Sequence, residues 1–311
     1  MLRRWFLLLA LLLVSGTAHA EKRIALSFDD APRSSGAFFS PDQRTRRIIA
    51  QLKMARVRQA AFFVVPGQIG SGDGAGGERR IMDYVRAGHV IANHSFSHQH
   101  LSQTPADAYL ADLDKAQAWL NGRKGTRPWF RFPFLDEGGA DKAKRDAVRA
   151  GLAARGLRNG YVTAESADWN LDALTRDAMR AGKRVDRRAL GRLFVDWHVG
   201  AADFADALML KAIGRSPAHV LLLHETDLAA LYIADLVKAL RADGWTIISA
   251  DEAYADPLAS ARPEVPYANG TLTEALAWER GLPKPRWYQF NDTGLAAREF
   301  RKTVLGESPE Q

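Results

Sequence analysis

The sequence lacks cysteine altogether, and after its first twenty residues it has no apolar run of the roughly 20 residues that a membrane-spanning helix needs. Without cysteine the chain cannot form disulfides, so its fold must be stabilised by a hydrophobic core. Neither sign of charge dominates, since there are 43 basic and 36 acidic residues, and the basic residues are scattered. The scatter argues against nucleic acid as a partner.

Residues 1–20 have the layout of a secretory signal peptide. Arg3 and Arg4 form a positive start, residues 5–14 are apolar, and residues 18–20 form a small-x-small cleavage site. We therefore expect an exported protein, periplasmic or extracellular, with no stable membrane anchor after cleavage. Removing 20 of the 311 residues leaves 291, which is enough for one large domain, and lowers the formal charge from +7 to +5.

Apolar, strand-like runs alternate with helical patterns along the chain. The predicted strands occupy residues 24–28, 60–65, 89–92, 129–132, 160–163, 220–223 and 245–248. The predicted helices occupy residues 41–55, 78–87, 105–120, 142–155, 168–181 and 227–242. This alternation predicts an α/β protein with a parallel sheet, open or closed as a barrel.

Polar side chains follow several of these predicted strands. Asp29 and Asp30 come after the first strand, His94 and His98 after the third, and His224 after the sixth. Active sites of parallel α/β folds lie at the carboxyl ends of the strands. One carboxylate and two imidazoles can hold a catalytic divalent metal that keeps a position open for water, and the second carboxylate is then free to accept a proton. The pattern predicts metal-assisted hydrolysis.

Five short motifs resemble those of the polysaccharide deacetylase family, also called carbohydrate esterase family 4 or NodB-homology enzymes. In order, they are residues 27–32 (Ser-Phe-Asp-Asp-Ala-Pro), 94–98 (His-Ser-Phe-Ser-His), 131–134 (Arg-Phe-Pro-Phe), 168–169 (Asp-Trp) and 222–224 (Leu-Leu-His). The resemblance implies a distorted parallel (β/α) barrel of the NodB-homology type over residues 21–255. It does not explain residues 256–311, which we expect to form a C-terminal extension packing on the barrel. It also implies hydrolytic removal of N-acetyl or O-acetyl groups from a glycan.

The resemblance also implies a metal centre with an adjacent base. Asp30, His94 and His98 would ligate a divalent metal, with zinc expected first and cobalt or nickel as alternatives. His94 and His98 are four residues apart, so a helical turn after the strand would bring them to one side. Asp29 would be the general base, oriented by Arg131; the alternative for this pair is an exposed salt bridge.

By the same resemblance, His224 would be the general acid, and Asp168 would hold it and favour its charged form. The backbone N–H of Phe134 would help to stabilise the oxyanion. Trp169 and Leu222 would form an apolar pocket for the acetyl methyl group, with ordinary core packing as the alternative.

Three departures from the family pattern bear on the shape of the cleft. Ala31 stands where glycine is usual, Glu165 where the fourth motif often begins with aspartate, and residues 135–137 where a glycine is common. We assign Glu165 no role. The glycine-rich residues 67–77 would be a flexible loop, either a substrate lid or a tolerated insertion.

The aromatic residues of the extension have two interpretations. Trp278, Trp287 and Tyr288 could stack on sugar rings or pack the extension against the barrel.

Three functions remain open from the sequence. The first is glycan deacetylation, the second is hydrolysis of another small amide or ester, and the third is a catalytically silent glycan-binding barrel. The presence of Asp29, His94, His98 and His224 together argues against the third, because a binding protein needs neither base nor acid. The same ligand set occurs in non-haem iron oxygenases, but the adjacent carboxylate base and the lack of a cofactor motif favour hydrolysis.

Overall fold

The computed structural model describes residues 21–70 and 72–307, so the expected signal peptide at residues 1–20 lies outside the described residues. The strands are β1 Arg23–Ala31, β2 Ala61–Val64, β3 Val90–Asn93, β4 Thr126–Phe130, β5 Asp136–Gly139, β6 Arg158–Asn159, β7 Ala218–His224, β8 Thr246–Ile247 and β9 Ala268–Asn269. The helices are α1 Pro41–Met54, α2 Gly77–Arg86, α3 Ala106–Leu120, α4 Lys142–Ala154, α5 Asp168–Arg180, α6 Arg187–Ile213, α7 Asp227–Ala242, α8 Ala250–Ala253, α9 Leu272–Glu279 and α10 Thr293–Val304. Within the described ranges, no helix has the length and apolarity to cross a membrane.

The main sheet is parallel and curled, with the hydrogen-bonded order β6, β4, β3, β2, β1, β7 and with β8 beside β1. The chain beyond β6 returns to β7. There Thr163 N–H donates to Val220 O at 3.0 Å, and Leu222 N–H donates to Ala164 O at 2.9 Å. The predicted distorted parallel (β/α) barrel is confirmed.

The central strand β1 is apolar because both of its faces are covered. Ile24, Leu26 and Phe28 are fully buried on one face, and Ala25 on the other is 1% exposed. A parallel strand enclosed by helices on one side and by the barrel interior on the other reads as a continuous apolar run rather than as an alternating one.

The structure corrects the predicted strand at residues 160–163. The pairing with β4 lies two residues earlier, in β6, and Gly160 N–H makes the last hydrogen bond to Phe130 O, at 2.7 Å. After that bond the chain leaves β4 to reach β7.

A second small sheet was also not predicted. In this sheet β9 pairs antiparallel with β5.

The long helix α6 and the C-terminal helix α10 are among the helices that were not predicted. The buried side chains of α6 recur in pairs every four residues, as in Leu193–Phe194 and Trp197–His198, so a helical period is present in the sequence. Gly200 weakens that pattern, but it is required by packing. A Cβ there would lie 2.3 Å from the hydroxyl oxygen of Tyr288.

The C-terminal extension shares the core of the barrel. Phe300 of α10 is 1% exposed, and the Phe290 ring stacks on Trp197 with ring centroids 4.4 Å apart. Tyr288 is partly buried against this cluster, whereas Trp278 and Trp287 remain 38% and 43% exposed.

Candidate active site

The polar residues that follow β1, β3 and β7 meet at one end of the barrel. Asp29 and His224 are partners in the β1–β7 register, so the two residues expected to act as base and acid end adjacent strands. The strand ends thereby fix the relative positions of these groups on backbone hydrogen bonds rather than on flexible loops.

Asp30, His94 and His98 form a cluster that can hold a metal ion. One ligand atom from each side chain lies within 4.8 Å of the other two. The Oδ1 atom of Asp30 is buried without a hydrogen bond of ordinary geometry, although His98 Nε2 is 2.9 Å away and His94 Nε2 is 3.4 Å away. Such convergence of acceptor atoms is the arrangement that a cation satisfies.

The charge and tautomer states also fit a metal. His94 Nδ1 lies 2.8 Å from the carbonyl oxygen of Arg131, so Nδ1–H donates to that carbonyl and Nε2 faces Asp30. Burial disfavours the charge of Asp30, but the imidazoles of His94 and His98 hold the pKa of Asp30 well below its usual range. The carboxylate is therefore ionised, as ligation requires.

A bend, and not the expected helical turn, brings His94 and His98 together. Ser95 and His98 have positive φ values of 62° and 56°. Ser95 N–H donates to Asn93 Oδ1, and His98 N–H donates to Ser95 Oγ, each at 2.9 Å. Asp112 accepts hydrogen bonds from the backbone of residues 96 and 97, which holds the bend in place. These side-chain caps replace the helical hydrogen bonds.

Asp29 is held on one side and faces the metal cluster on the other. Arg131 Nη1 donates to Asp29 Oδ1 at 2.8 Å, and Asp29 Oδ2 lies 3.6 Å from His94 Nε2. The Arg131 and Asp29 side chains are only 1% and 3% exposed, so the alternative of an exposed salt bridge is wrong. Arg131 is fixed in turn by Tyr254, whose hydroxyl oxygen accepts from Nη2 at 2.8 Å.

Asp168 binds His224 at two points. Its Oδ1 lies 2.6 Å from His224 Nδ1, and its Oδ2 accepts the backbone N–H of His224 at 2.8 Å. Burial alone would lower the pKa of His224, but the Asp168 carboxylate outweighs burial and raises that pKa to about 9. With Nδ1 bound to Asp168, Nε2 is the proton-carrying atom available to a ligand.

Asp29, the cluster of Asp30, His94 and His98, and His224 line one cavity of about 470 Å³. This volume is typical of small-molecule sites. The residues assigned from the resemblance to substrate contact all line it: Phe134, Trp169 and Leu222. Trp169 is 41% exposed, so ordinary core packing does not explain it, whereas Leu222 is 3% exposed. The Phe134 backbone is left-handed, with a φ of 58°, and its ring stacks on His100. His100 lies outside the metal cluster.

The loop after Asp30 is held by buried charges. Glu225 Oε2 accepts the backbone N–H of Arg33 at 2.7 Å, and Asp227 Oδ2 accepts two further backbone N–H groups, at 2.6 and 3.0 Å. Arg44, 1% exposed, ion-pairs with Asp227 at 3.3 Å. Gly36 is required here, because a Cβ would lie 2.2 Å from Asp227 Oδ2. Glu225 and Asp227 lie one and three residues after His224. The segment that follows β7 therefore also supports the loop after Asp30.

Comparison with known proteins shows similarity over the part of the chain that carries Asp29, Asp30, His94 and His98. Residues 16–154 match the family model for polysaccharide deacetylase. This part of the chain is similar to the polysaccharide deacetylase family. The peptidoglycan-N-acetylglucosamine deacetylase of Bacillus cereus is 32% identical to the chain over 118 residues. The aligned stretch spans 38% of this chain and only 38% of that relative.

Solved structures of polysaccharide deacetylase relatives share the fold at low sequence identity. A mutant of a CE4 family pseudoenzyme has 17% identity and a TM-score of 0.50, covering 75% of this chain and 67% of its own. The family 4 carbohydrate esterase of Streptomyces lividans, determined with acetate, has 20% identity and a TM-score of 0.49, covering 75% and 96%. Because one neighbour is a pseudoenzyme, activity must be argued from the site and not from the fold.

Five further polar residues line the cavity but were not assigned from the sequence: Arg33, Glu165, Arg176, Asn269 and Asn291. Arg33 donates to Asp30 Oδ2 at 2.6 Å, and its position just after the first motif could have revealed it. Burial raises the pKa of Glu165 to about 7. Asn269 and Asn291 come from the extension, and no motif points to them.

The glycine-rich loop does not reach the cavity within its described residues, 67–70 and 72–77. Gly67 N–H donates to Phe96 O at 3.0 Å, and Asp73 Oδ2 accepts Ser35 N–H at 2.8 Å. The loop therefore contacts the two metal-ligand loops from outside the cavity.

Proposed function

We propose that the protein is an exported, metal-dependent hydrolase that removes acetyl groups from a glycan. One observation carries the proposal: the metal-type cluster, the buried carboxylate of Asp29 and the imidazole of His224, which is bound to Asp168, border the same cavity. The family match supports an acetylated polysaccharide as the substrate class.

The cluster of Asp30, His94 and His98 would hold the metal, with zinc expected and cobalt or nickel as alternatives. A divalent metal bound there supplies Lewis acidity and lowers the pKa of a bound water. The remaining steps belong to side chains of the protein. Asp29 Oδ2 accepts the proton of the water that adds to the acetyl carbonyl carbon, while Arg131 keeps Asp29 Oδ1 occupied.

The leaving amine takes its proton from His224. As the carbon–nitrogen bond breaks, the bonding electrons go to the sugar nitrogen, and His224 Nε2–H protonates it. Because Asp168 raises the pKa of His224 to about 9, the imidazole carries this proton at neutral pH. The Phe134 N–H stabilises the oxyanion in this scheme, and Trp169 and Leu222 enclose the methyl group. The products are acetate and a free amine, or an alcohol from an O-acetyl group.

The name of the relative supports a proposal for the polymer. The Bacillus cereus protein is named for deacetylation of N-acetylglucosamine in peptidoglycan. An exported protein would meet such envelope glycans, so an N-acetylated cell-envelope glycan is the substrate we propose.

Acetate release from a panel of acetylated glycans tests the proposal. The purified chain should release acetate from at least one N-acetylated glycan. Acetate release should stop after treatment with a chelator and should resume when zinc is added back. Turnover of only simple acetyl esters would instead indicate a hydrolase of other small acyl groups. Binding of glycans without any acetate release would indicate a silent barrel.

A further inference from the structure

The C-terminal extension supplies part of the cavity wall. Asn269, Gly270 and Asn291 line the cavity together with the metal cluster and His224. All three residues lie outside residues 16–154, which match the family model, and outside the five sequence motifs. A segment that the family match does not cover therefore faces the substrate.

The first part of this wall is fixed to the backbone beside the oxyanion position. In the β5–β9 pair, Asn269 lies opposite Asp136. Gly270 N–H donates to the carbonyl oxygen of Leu135 at 3.1 Å. Leu135 is the residue after Phe134. Strand pairing thus holds Asn269 at the rim of the cavity, unlike a loose tail.

The second part is the short turn that precedes α10. The ring of Phe290 stacks on Trp197 at an interplanar angle of 14°, and Asn291 N–H donates to Tyr288 O at 3.0 Å. Asp292 then caps α10 by accepting Leu295 N–H at 2.8 Å. The turn is therefore anchored on both sides of Asn291.

Asn291 has an unused acceptor. Its Oδ1 atom is buried and has no hydrogen-bond partner among residues 21–70 and 72–307. A buried amide oxygen without a donor is unfavourable, so such groups are usually paired. Because Asn291 lines the cavity, the missing donor can come from a bound ligand. The hydroxyl groups and the acetamido N–H of an amino sugar are donors of this kind.

We propose that Asn291 is a specificity-determining residue that accepts a hydrogen bond from a sugar hydroxyl or acetamido N–H in the cavity. The inference rests on the proposed function, because it takes the cavity to be a glycan site. Asn291 then contributes to binding of the sugar ring and not to the chemistry at the acetyl group. A small acetyl ester without a sugar does not use this contact.

Calorimetric binding of a tetramer of N-acetylglucosamine to the full chain tests the inference without relying on turnover. Asn291→Ala should weaken binding about tenfold, the loss expected for one hydrogen bond between neutral groups. Asn291→Asp keeps an acceptor and should retain more affinity than Asn291→Ala. Gln289→Ala is the matched control, since Gln289 lies in the same turn, is exposed and does not line the cavity; it should bind as the wild type does.

Kinetics then separate specificity from catalysis. In Asn291→Ala, KM for the tetramer should rise with little change in kcat, and kcat/KM for the tetramer should fall by a larger factor than kcat/KM for 4-nitrophenyl acetate. Unchanged affinity in Asn291→Ala, equal weakening in Gln289→Ala, or no tetramer binding by the wild type would overturn the inference. Normal binding with no acetate release by the wild type would contradict the proposed function and leave the inference standing.

Discussion

Replacing Asp168 by asparagine should move the loss of activity on the alkaline side to lower pH. In the proposed mechanism His224 is the acid only while its imidazole is protonated, and the Asp168 carboxylate contacts both its ring and its backbone. Asparagine can still accept the backbone N–H, but it removes the negative charge that favours imidazolium. Burial, which lowers the pKa of His224, is then less strongly opposed.

The size of the effect follows from the two limiting pKa values of His224. With Asp168 the pKa of His224 is about 9, and without that partner it should fall toward the ordinary value of 6.5 or below. At pH 8 the protonated fraction would drop from roughly 0.9 to roughly 0.03, which is about a thirtyfold loss of activity. At pH 6 the two proteins should differ much less. A metal bound at the cluster would act on His224 in both proteins alike, so the difference between them is the informative quantity.

The assay is kcat/KM for acetate release from an N-acetylated glycan between pH 5 and pH 10, because that profile reports groups of the free enzyme. Asp172→Asn is the matched control, since Asp172 lies one turn later on α5, is 4% exposed and pairs with Arg176 rather than with His224. Two results would refute the acid role of His224. In the first, the activity of Asp168→Asn falls at the same alkaline pH as that of the wild type. In the second, Asp172→Asn shifts this alkaline fall in activity as much as Asp168→Asn does.

Three further predictions concern the leaving group, a buried carboxyl and the metal-ligand loop. His224→Ala should lose far more activity on an N-acetyl glycan than on 4-nitrophenyl acetate, whose leaving group needs little protonation; equal losses would remove His224 from the acid role. Because the pKa of Glu165 is raised from 4.5 to about 7, the wild type loses stability as pH rises from about 4.5 to 7. Glu165→Gln should therefore be more stable than the wild type at pH 8, by up to about 3 kcal/mol, and not at pH 4, as measured by urea unfolding. Asp227→Asn leaves the buried Arg44 guanidinium without its carboxylate partner and should lower the free energy of unfolding by about 3 kcal/mol, whereas a change under 1 kcal/mol would contradict the network described here.

The sequence was most informative where chemistry and strand ends coincide. Asp29, Asp30 and His94 are adjacent to apolar runs that became β1 and β3, so their convergence followed from the parallel sheet. The backbone path between His94 and His98 could not be predicted from the sequence. The spacing of the two histidines is compatible both with a helical turn and with a bend capped by serine and asparagine side chains.

The features that the sequence did not predict depend on contacts between distant parts of the chain. Gly200 interrupts the apolar pattern of α6 because a side chain there would clash with Tyr288, which is far along the sequence. Asn269 reaches the cavity only because β9 pairs with β5, and no short motif encodes that pairing. The partner of an edge strand is a property of the tertiary structure, so sequence periodicity did not reveal that the extension faces the site.

The most direct test of the account compares Asp29→Asn with Asp30→Asn in metal content and in turnover. Asp29→Asn cannot accept the proton, and it should keep its metal while acetate release is abolished. Asp30→Asn should lose metal affinity itself, because its Oδ1 faces both imidazoles. Elemental analysis and acetate release on the same preparations give both answers. Equal loss of metal in the two variants, or substantial turnover by Asp29→Asn, would contradict the assignment of base and ligand.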